Sequence, residues 1–434
     1  VQASLDTTAD PPLPAPPPFI SSRYLAEEDL PEQVRRGDWY DRMLYDAERS
    51  GLYLIAAKIS PGGSQAELVV GNENFPLWSD AVEYLVALAD VHLPPRVRTV
   101  HLVIEEAGHR TATLTAPLPS RALSRNPREQ VRQRKITAGR SVSDPQRATS
   151  FVTNKLDFSA NIDNRLQLFD PDDPARYQFY LDLGANYRLA NHLVLRASYG
   201  INIYNNFDES LRQESDSQLP KVRSDIVKYL NEGETGIDEL MLDSRNTYGS
   251  NLHYRVFGGI LEEMFSGAGG EVLYWPTGSR VALGLSVAYA QQRDFDKRFD
   301  HLNYGVTTGF VSAYWESPFY QYDVAVHAGQ YLAKDVGATL EVRRTFSNGW
   351  QIGVWATRTD VSSEEFGEGS FDKGFYFKIP LNTLLNSNTR SAVSTRIRPI
   401  QRDGGQRLEN HSATLFWDLR ESSYRDLNHR RGQP

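Results

Sequence analysis

Asp323 and His327 stand four residues apart in a segment that alternates apolar and polar residues. Read as a strand, that spacing puts both on one face but about 13 Å apart. A carboxylate must come within hydrogen-bond reach of an imidazole to work with it, so the two do not form a dyad. The nine histidines are scattered, and none follows another at a metal-ligand spacing such as His-x-x-x-His. Cysteine is absent, which removes thiol nucleophiles, zinc-thiolate sites and disulfides. The expectation is a non-enzymatic protein without metal or cofactor. The competing reading is a barrel enzyme acting on lipid or polysaccharide, which requires a compact Asp/His or Ser/His cluster near one rim.

A second set of charges is more regular. Asp182, Arg188, Arg196, Asp323, Glu341, Arg343, Lys378, Arg396 and Arg398 fall on the polar side of alternating segments. Charges enclosed in this way either pair with one another or line a wet path. In the second case they would guide a hydrated polymer through weak, repeated contacts. Arg396 and Arg398 would then attract a polyanionic sugar chain.

The elements that must position these residues are β-strands. Beyond Phe151 aromatic residues become about twice as frequent, and strict alternation replaces helical periodicity. Phe179, Leu181, Leu183, Ala185 and Tyr187 alternate with Asp182, Gly184, Asn186 and Arg188. The same pattern recurs from Leu193, Val281, Tyr320, Val336 and Trp350, and a last strand is expected from Ala413, Leu415, Trp417 and Leu419. Runs of about 10 residues suit a tilted strand crossing a bilayer. Tyr and Trp near the run ends suit aromatic girdles. Short turns at Ala190-Asn191 and Ser347-Asn348-Gly349 contrast with long acidic loops at 205–220 and 360–371. The expected fold is mainly β: a transmembrane antiparallel β-barrel over 151–420, with about 14 strands in a range of roughly 12 to 16. A soluble β-sandwich also alternates, but its polar face is solvated. Here the polar face is rich in Gly, Ala and Ser, as a crowded lumen would be.

Ahead of the β half, residues 32–118 read as a small α+β domain made of two helix–strand–strand repeats. Its second helix starts at Ser79 as N-cap. Residues 1–31 carry a run of prolines that favours an extended arm. Residues 119–150 carry Arg121, Arg125, Arg128, Arg132, Arg134, Lys135, Arg140 and Arg147 against Glu129 and Asp144. That stretch reads as a solvated basic linker, or as a cationic strip facing an acidic polymer or anionic lipid. Residues 421–434 read as a tail. The start at Val1 reads as that of a mature or processed product. The net charge of −8 argues against nucleic acid as a partner, and no uncharged stretch approaches the ~20 residues of a membrane-spanning helix.

Several segments together carry a family likeness: Leu219-Pro-Lys-Val-Arg-Ser-Asp225, 258–285 with Gly269-Gly-Glu-Val-Leu-Tyr-Trp-Pro-Thr-Gly-Ser-Arg280, Gln292-Arg-Asp-Phe-Asp296, 329–360, 370–382 and 396–408. On these the sequence resembles the YjbH/GfcD family of outer-membrane proteins encoded with exopolysaccharide and capsule genes. The resemblance implies a Gram-negative outer-membrane barrel in polysaccharide secretion or assembly, with the small domain in the periplasm. It implies as partners outer-membrane lipids, the extracellular polysaccharide and other chains of the export machinery, among them small lipoproteins. Members are often lipoproteins, and this sequence has no cysteine to carry a lipid. They also bear a further β-rich half before the matched region. The chain therefore reads as one product of a longer precursor, or as a subunit whose other barrel half is a separate chain. No enzymatic residues carry over.

Overall fold

The computed structural model describes residues 38–430, apart from 125, 141, 150–155, 169–174, 191, 207–217, 367–370, 384–388 and 399–401. The proline-rich arm, most of the 205–220 loop, part of the 360–371 loop and the last residues of the tail lie outside the described residues.

The N-terminal unit starts with α1, Trp39–Arg49, whose first amides are capped by the Asp38 carboxylate. Strands β1 (Leu52–Ile59) and β2 (Gln65–Asn72) follow. Then come α2 (Trp78–His92), β3 (Thr99–Glu106) and β4 (His109–Pro117). The helix α2 begins one residue before Ser79, with Leu77 at the N-cap, so Ser79 does not cap it. Apolar residues at helical spacing on α2, among them Val82, Leu85, Val86 and Ala89, join Met43 and Ala47 of α1 in the core against the sheet.

The basic stretch folds onto this unit rather than running as a tether. Helix α3 (Pro127–Gln133), β5 (Lys135–Ala138) and β6 (Arg147–Ala148) lie within it. β5 pairs with β4 and β6 with β1, so the sheet has six strands in the order β5-β4-β3-β2-β1-β6. Ile136 supplies the apolar contact that composition hid, by entering the core. The cations meet carboxylates of the same unit: Arg134 with Glu83, Arg140 with Glu67 at 2.6 Å, and Arg147 with Asp38. Arg121 donates to the carbonyls of Asp90, Leu93, Pro94 and Val97 at 2.7–2.9 Å, where α2 ends. The Asp90 carbonyl is one of those a helix leaves open in its last turn, and the other three lie in the turn beyond it, where Pro94 also accepts from the Val97 amide. Arg121→Ala is expected to destabilise this unit by about 2–3 kcal/mol, read as a lower urea midpoint; an unchanged midpoint would deny the arginine that capping role.

The C-terminal unit is an antiparallel sheet of thirteen strands, each paired with its chain neighbours in a continuous meander. They are β7 (Leu156–Leu168), β8 (Ala175–Ala190), β9 (Leu193–Asn205), β10 (Gly236–Tyr248), β11 (Leu252–Ile260), β12 (Phe265–Tyr274) and β13 (Val281–Arg293). The rest are β14 (His301–Glu316), β15 (Tyr322–Gln330), β16 (Val336–Thr345), β17 (Gln351–Thr359), β18 (Lys373–Pro380) and β19 (Ala392–Ile397). A short helix, α4 (Ile226–Glu232), stands between β9 and β10. Among the described residues β7 and β19 do not pair with each other, so these thirteen strands form an open sheet, where a closed barrel of about fourteen was expected. β15 starts later than the alternation implied, because Tyr320 and Gln321 take positive φ in the preceding turn.

The two faces of the sheet are inverted relative to a water-soluble protein. Leu283, Leu285, Val287 and Tyr289 of β13 are exposed, while the intervening Ala282, Ser286, Ala288 and Ala290 are buried. Leu285 is 52% exposed and Ser286 only 4%. The same inversion holds at Val311, Val326, Leu340, Ile352 and Val354 against Thr308, Ser312, Asp323, His327, Thr339 and Glu341.

The 219–230 stretch covers one part of the polar face, with Val222 and Tyr229 against Met241, Phe257 and Ala288, and the C-terminal segment covers another. Its expected strand at 412–419 is instead a helix, α5 (Leu415–Leu419), followed by α6 (Tyr424–Arg430). The correction has a visible cause. Phe416 is apolar too, and Leu415, Phe416 and Leu419 fit helical spacing as well as alternate positions fit a strand. All three are buried against Leu273, Trp275, Ala282, Tyr314 and Ala325 of the sheet and its turns. Phe416 stacks on Tyr314 with centroids 4.3 Å apart. The Glu271 carboxylate accepts from the Thr414 and Leu415 amides at 2.9 and 3.1 Å, where negative charge suits a helix start.

Candidate functional site

The most chemically distinctive space on the polar face is a cavity of about 240 Å³ between β16–β19 and the C-terminal segment. Its geometry follows from the register. Arg343, Gly353, Tyr376 and Arg396 lie on one rung across four strands, and Glu341, Trp355 and Gly374 on the next rung facing inward. The two glycines matter because they are bare. A Cβ at Gly353 would overlap the Tyr376 ring, and one at Gly374 would overlap Trp355. The rings therefore lie flat across the sheet as a shelf, with Trp355 and Tyr376 stacked at 6.3 Å. From the opposite side the C-terminal segment contributes Arg407, Glu409, Trp417 and Asp418.

Four guanidinium groups face this space. Arg396 lies over Trp355 at 4.9 Å and Arg398 over the same ring at 5.5 Å. Arg343 lies over Trp417 at 4.8 Å. Arg398 also pairs with Asp372 at 3.0 Å, and Asp372 accepts from Trp355 Nε1 at 2.9 Å. Glu341 accepts from the Tyr376 hydroxyl at 2.6 Å. Cations over aromatic faces and hydroxyl-bearing rings suit a ligand that has both a flat apolar face and polar edges.

The nine residues singled out by sequence divide among distinct places. Glu341, Arg343, Arg396 and Arg398 meet around this cavity. Lys378 follows Tyr376 on the same face of β18, on the rung of Gln351 and Ser394. Asp323 is away from the cavity, held by Arg420 of the C-terminal segment at 3.0 Å. Asp182 accepts from Ser198 across β8 and β9. Arg188 and Arg196 face a second cavity, of about 220 Å³, where the sheet meets the N-terminal unit beside Tyr53, Glu73, Glu105 and Glu106. There Arg196 reaches Asp243 at 3.4 Å. Arg390 crosses between the units to the Asn72 carbonyl at 2.8 Å and Glu106 at 3.0 Å. Burial pushes the Glu106 carboxyl up, and Arg390 opposes that shift.

A residue set with hydrolytic types does occur. Ser312 Oγ is 2.8 Å from His327 Nδ1, and His327 Nε2 is 4.0 Å from Glu341. Ser312 is 1% exposed and His327 is fully buried, so no substrate carbonyl can reach the hydroxyl. Among the described residues no group of three or more acidic or histidine side chains could hold a metal, and no helix is long and apolar enough to cross a membrane.

Two buried histidines give the fold a definite acid response. His109 of β4 packs edge-on to His253 of β11 with centroids 5.5 Å apart. Burial first, and then the neighbours His253 and Arg245, push its imidazole down to about 3. His411 accepts from Arg255 at Nδ1 and donates from Nε2 to the Leu261 carbonyl, at 3.1 and 2.9 Å. That arrangement fixes the neutral tautomer, and burial followed by Arg255 pushes its value down to about 4. Unfolded, both imidazoles take a proton near 6.5. Below that pH the unfolded chain binds protons that the folded protein refuses. Stability present above pH 6.5 is therefore lost as pH falls toward 4, by up to about 1.4 kcal/mol per histidine per pH unit. Urea midpoints at pH 7.5 and 5.0 should show this loss, and a His109→Gln/His411→Gln double variant should show less of it.

The sequence model of one family, described as "Exopolysaccharide biosynthesis protein YbjH", matches residues 7–421. The chain belongs to the YjbH family. One relative is "Uncharacterized lipoprotein YjbH" of Escherichia coli K12, 40% identical over 245 residues. That match covers 55% of this chain and 35% of the relative, so the chain spans well under half of the relative's length.

Within this YjbH-family chain, sequence reading missed Trp355, Tyr376, Asp372 and the whole contribution of 402–430 to the cavity. A signal existed for the first two. Trp355 and Tyr376 are aromatic residues on the polar face, in the middle of strands rather than at their ends, where a girdle would put them.

Proposed function

We propose that the chain is a non-enzymatic outer-membrane component of exopolysaccharide or capsule secretion or assembly. Its thirteen strands belong to a transmembrane β-barrel, and its N-terminal unit works in the periplasm. The observation that carries this is the inverted sheet. A continuous exposed apolar face spread over a dozen strands is far larger than the few hundred Å² that soluble proteins tolerate. Acyl chains are the solvent that makes such a face stable. The barrel is non-enzymatic in this reading because guiding a polymer needs contacts and no bond-breaking groups.

Lipid also makes the edges of the sheet informative. A strand edge in hydrocarbon must have its amides and carbonyls paired. β7 and β19 therefore pair with strands of another segment or chain, such as a second barrel half, to close the wall. The membrane lipids, the polysaccharide and neighbouring chains of the export machinery, small lipoproteins among them, are the partners of this reading; nucleic acid is not.

Deleting the gene is expected to lower surface polysaccharide while leaving cytoplasmic sugar precursors unchanged. The purified protein should partition into the detergent phase and migrate differently on gels before and after heating. Normal surface polysaccharide, or recovery in the aqueous phase, would overturn the proposal.

A further inference from the structure

Resting on the reading that the polar face meets a sugar chain, we infer that the cavity between β16–β19 and the C-terminal segment is a subsite for one acidic sugar residue, a pyranose ring that bears a carboxylate. The size fits one ring. At about 240 Å³ the cavity falls below the ~300 Å³ at which pockets for drug-sized ligands begin.

The shelf supplies the ring contact. Gly353 and Gly374 leave the Tyr376 and Trp355 rings lying across the sheet, and Trp417 faces them from the C-terminal segment. A sugar's C–H face packs on such rings while its hydroxyls point to the edges.

The charge inventory selects an acid. Three lining carboxylates are already engaged. Asp372 is held by Arg398 at 3.0 Å and by Trp355 at 2.9 Å. Glu341 is held by Tyr376 at 2.6 Å. Asp418 pairs with Arg245 at 3.0 Å. Glu409, exposed at the rim, is drawn electrostatically to Arg223, Arg396 and Arg398. Among the lining cations, Arg343 and Arg396 differ from Arg398. Neither has a carboxylate within 4.0 Å among the described residues: Asp323, opposite Arg343, is taken by Arg420, and Glu409 stands farther from Arg396. Each instead lies over a tryptophan. Arg343 is 7% exposed, and its Nε is buried with no hydrogen-bond partner. A buried donor left open in this way is costly unless something occupies it. A guanidinium held flat by an aromatic ring keeps its edge available for bidentate pairing, which a carboxylate matches and a neutral hydroxyl does not. Arg396, exposed on the outermost strand, would meet the acid first, with Arg343 deeper on the same rung.

The test uses the full chain in detergent, titrated with tetragalacturonic acid and, separately, with the neutral cellotetraose. Binding is followed by tryptophan fluorescence and by calorimetry. The acidic oligomer should bind at least tenfold more tightly than the neutral one, and its affinity should fall as salt rises. Arg396→Gln, at an exposed position, should weaken acid binding at least fivefold with heat-modifiable migration intact. Arg343→Gln/Arg396→Gln should bring the two oligomers to equal affinity. Equal binding of both oligomers by the unaltered protein would overturn the inference. So would acid binding that Arg396→Gln leaves unchanged, or no acid binding by protein that partitions into detergent. If gene deletion still lowers surface polysaccharide in that last case, only the acidic subsite falls. Normal surface polysaccharide on deletion, alongside selective acid binding, would leave the subsite standing and remove the export role.

Discussion

Arg420→Ala should destabilise the folded protein by roughly 3–5 kcal/mol, the cost of stranding buried charges. Arg420 is 7% exposed. It contacts Asp323 at 3.0 Å, Glu316 at 3.1 Å and Asp426 at 3.2 Å. One guanidinium therefore separates three carboxylates from two strands and the C-terminal segment. Alanine would leave Arg430, 2.9 Å from Asp426, Arg425, 3.6 Å from Glu316, and Arg343, across the β15–β16 rung from Asp323, to offset them. Lysine keeps the charge but loses the planar fork, so Arg420→Lys should fall in between. Arg425 is more exposed, and Arg425→Ala should cost under about 1 kcal/mol. Urea midpoints of the three variants check the order. Equal effects at 420 and 425 would mean that the hub holds nothing together.

Arginine at Leu285 should produce the second large effect. The position is exposed on the apolar face, in the middle of β13. On a strand facing water, such a change typically alters stability by no more than about 0.5 kcal/mol. On a strand facing hydrocarbon it costs about 2–4 kcal/mol near the midplane. Refolding of Leu285→Arg into lipid vesicles, compared with the unaltered chain, separates the two cases. A difference near zero would mean that water, not lipid, meets that face.

Much of the fold was legible because a period of two is a local signal. Phe179 to Leu189 and Val281 to Ala290 read as strands from their residues alone, and their inward and outward sets follow directly. The helix–strand–strand order of the N-terminal unit was legible for a similar reason. The failures share a different cause. Ile136 is a single apolar residue in a polar, basic stretch, and a short edge strand needs no more than that when its partner already exists. At 415–419 an alternating pattern and a helical one coincide over five residues, and only the concave wall provided by Tyr314 and Trp275 decides between them. The candidate cavity was half legible. Its arginines announce themselves by lying on the polar side. Its carboxylate partners do not, because Asp372 comes from a loop and Glu409 and Asp418 from a segment that returns across the sheet.

The last helix has a consequence for how the two units live and die. Leu427 of α6 sits in the hydrophobic core of the N-terminal unit, with Tyr424 packed beside it, while Arg420, which holds Asp426, is tied to the sheet through Asp323 and Glu316. The 420–430 stretch is thus a rivet through both pieces. A calorimeter should record a single endotherm for the whole molecule, and a fragment cut off near residue 150 would be born with a hole where its distant leucine belongs.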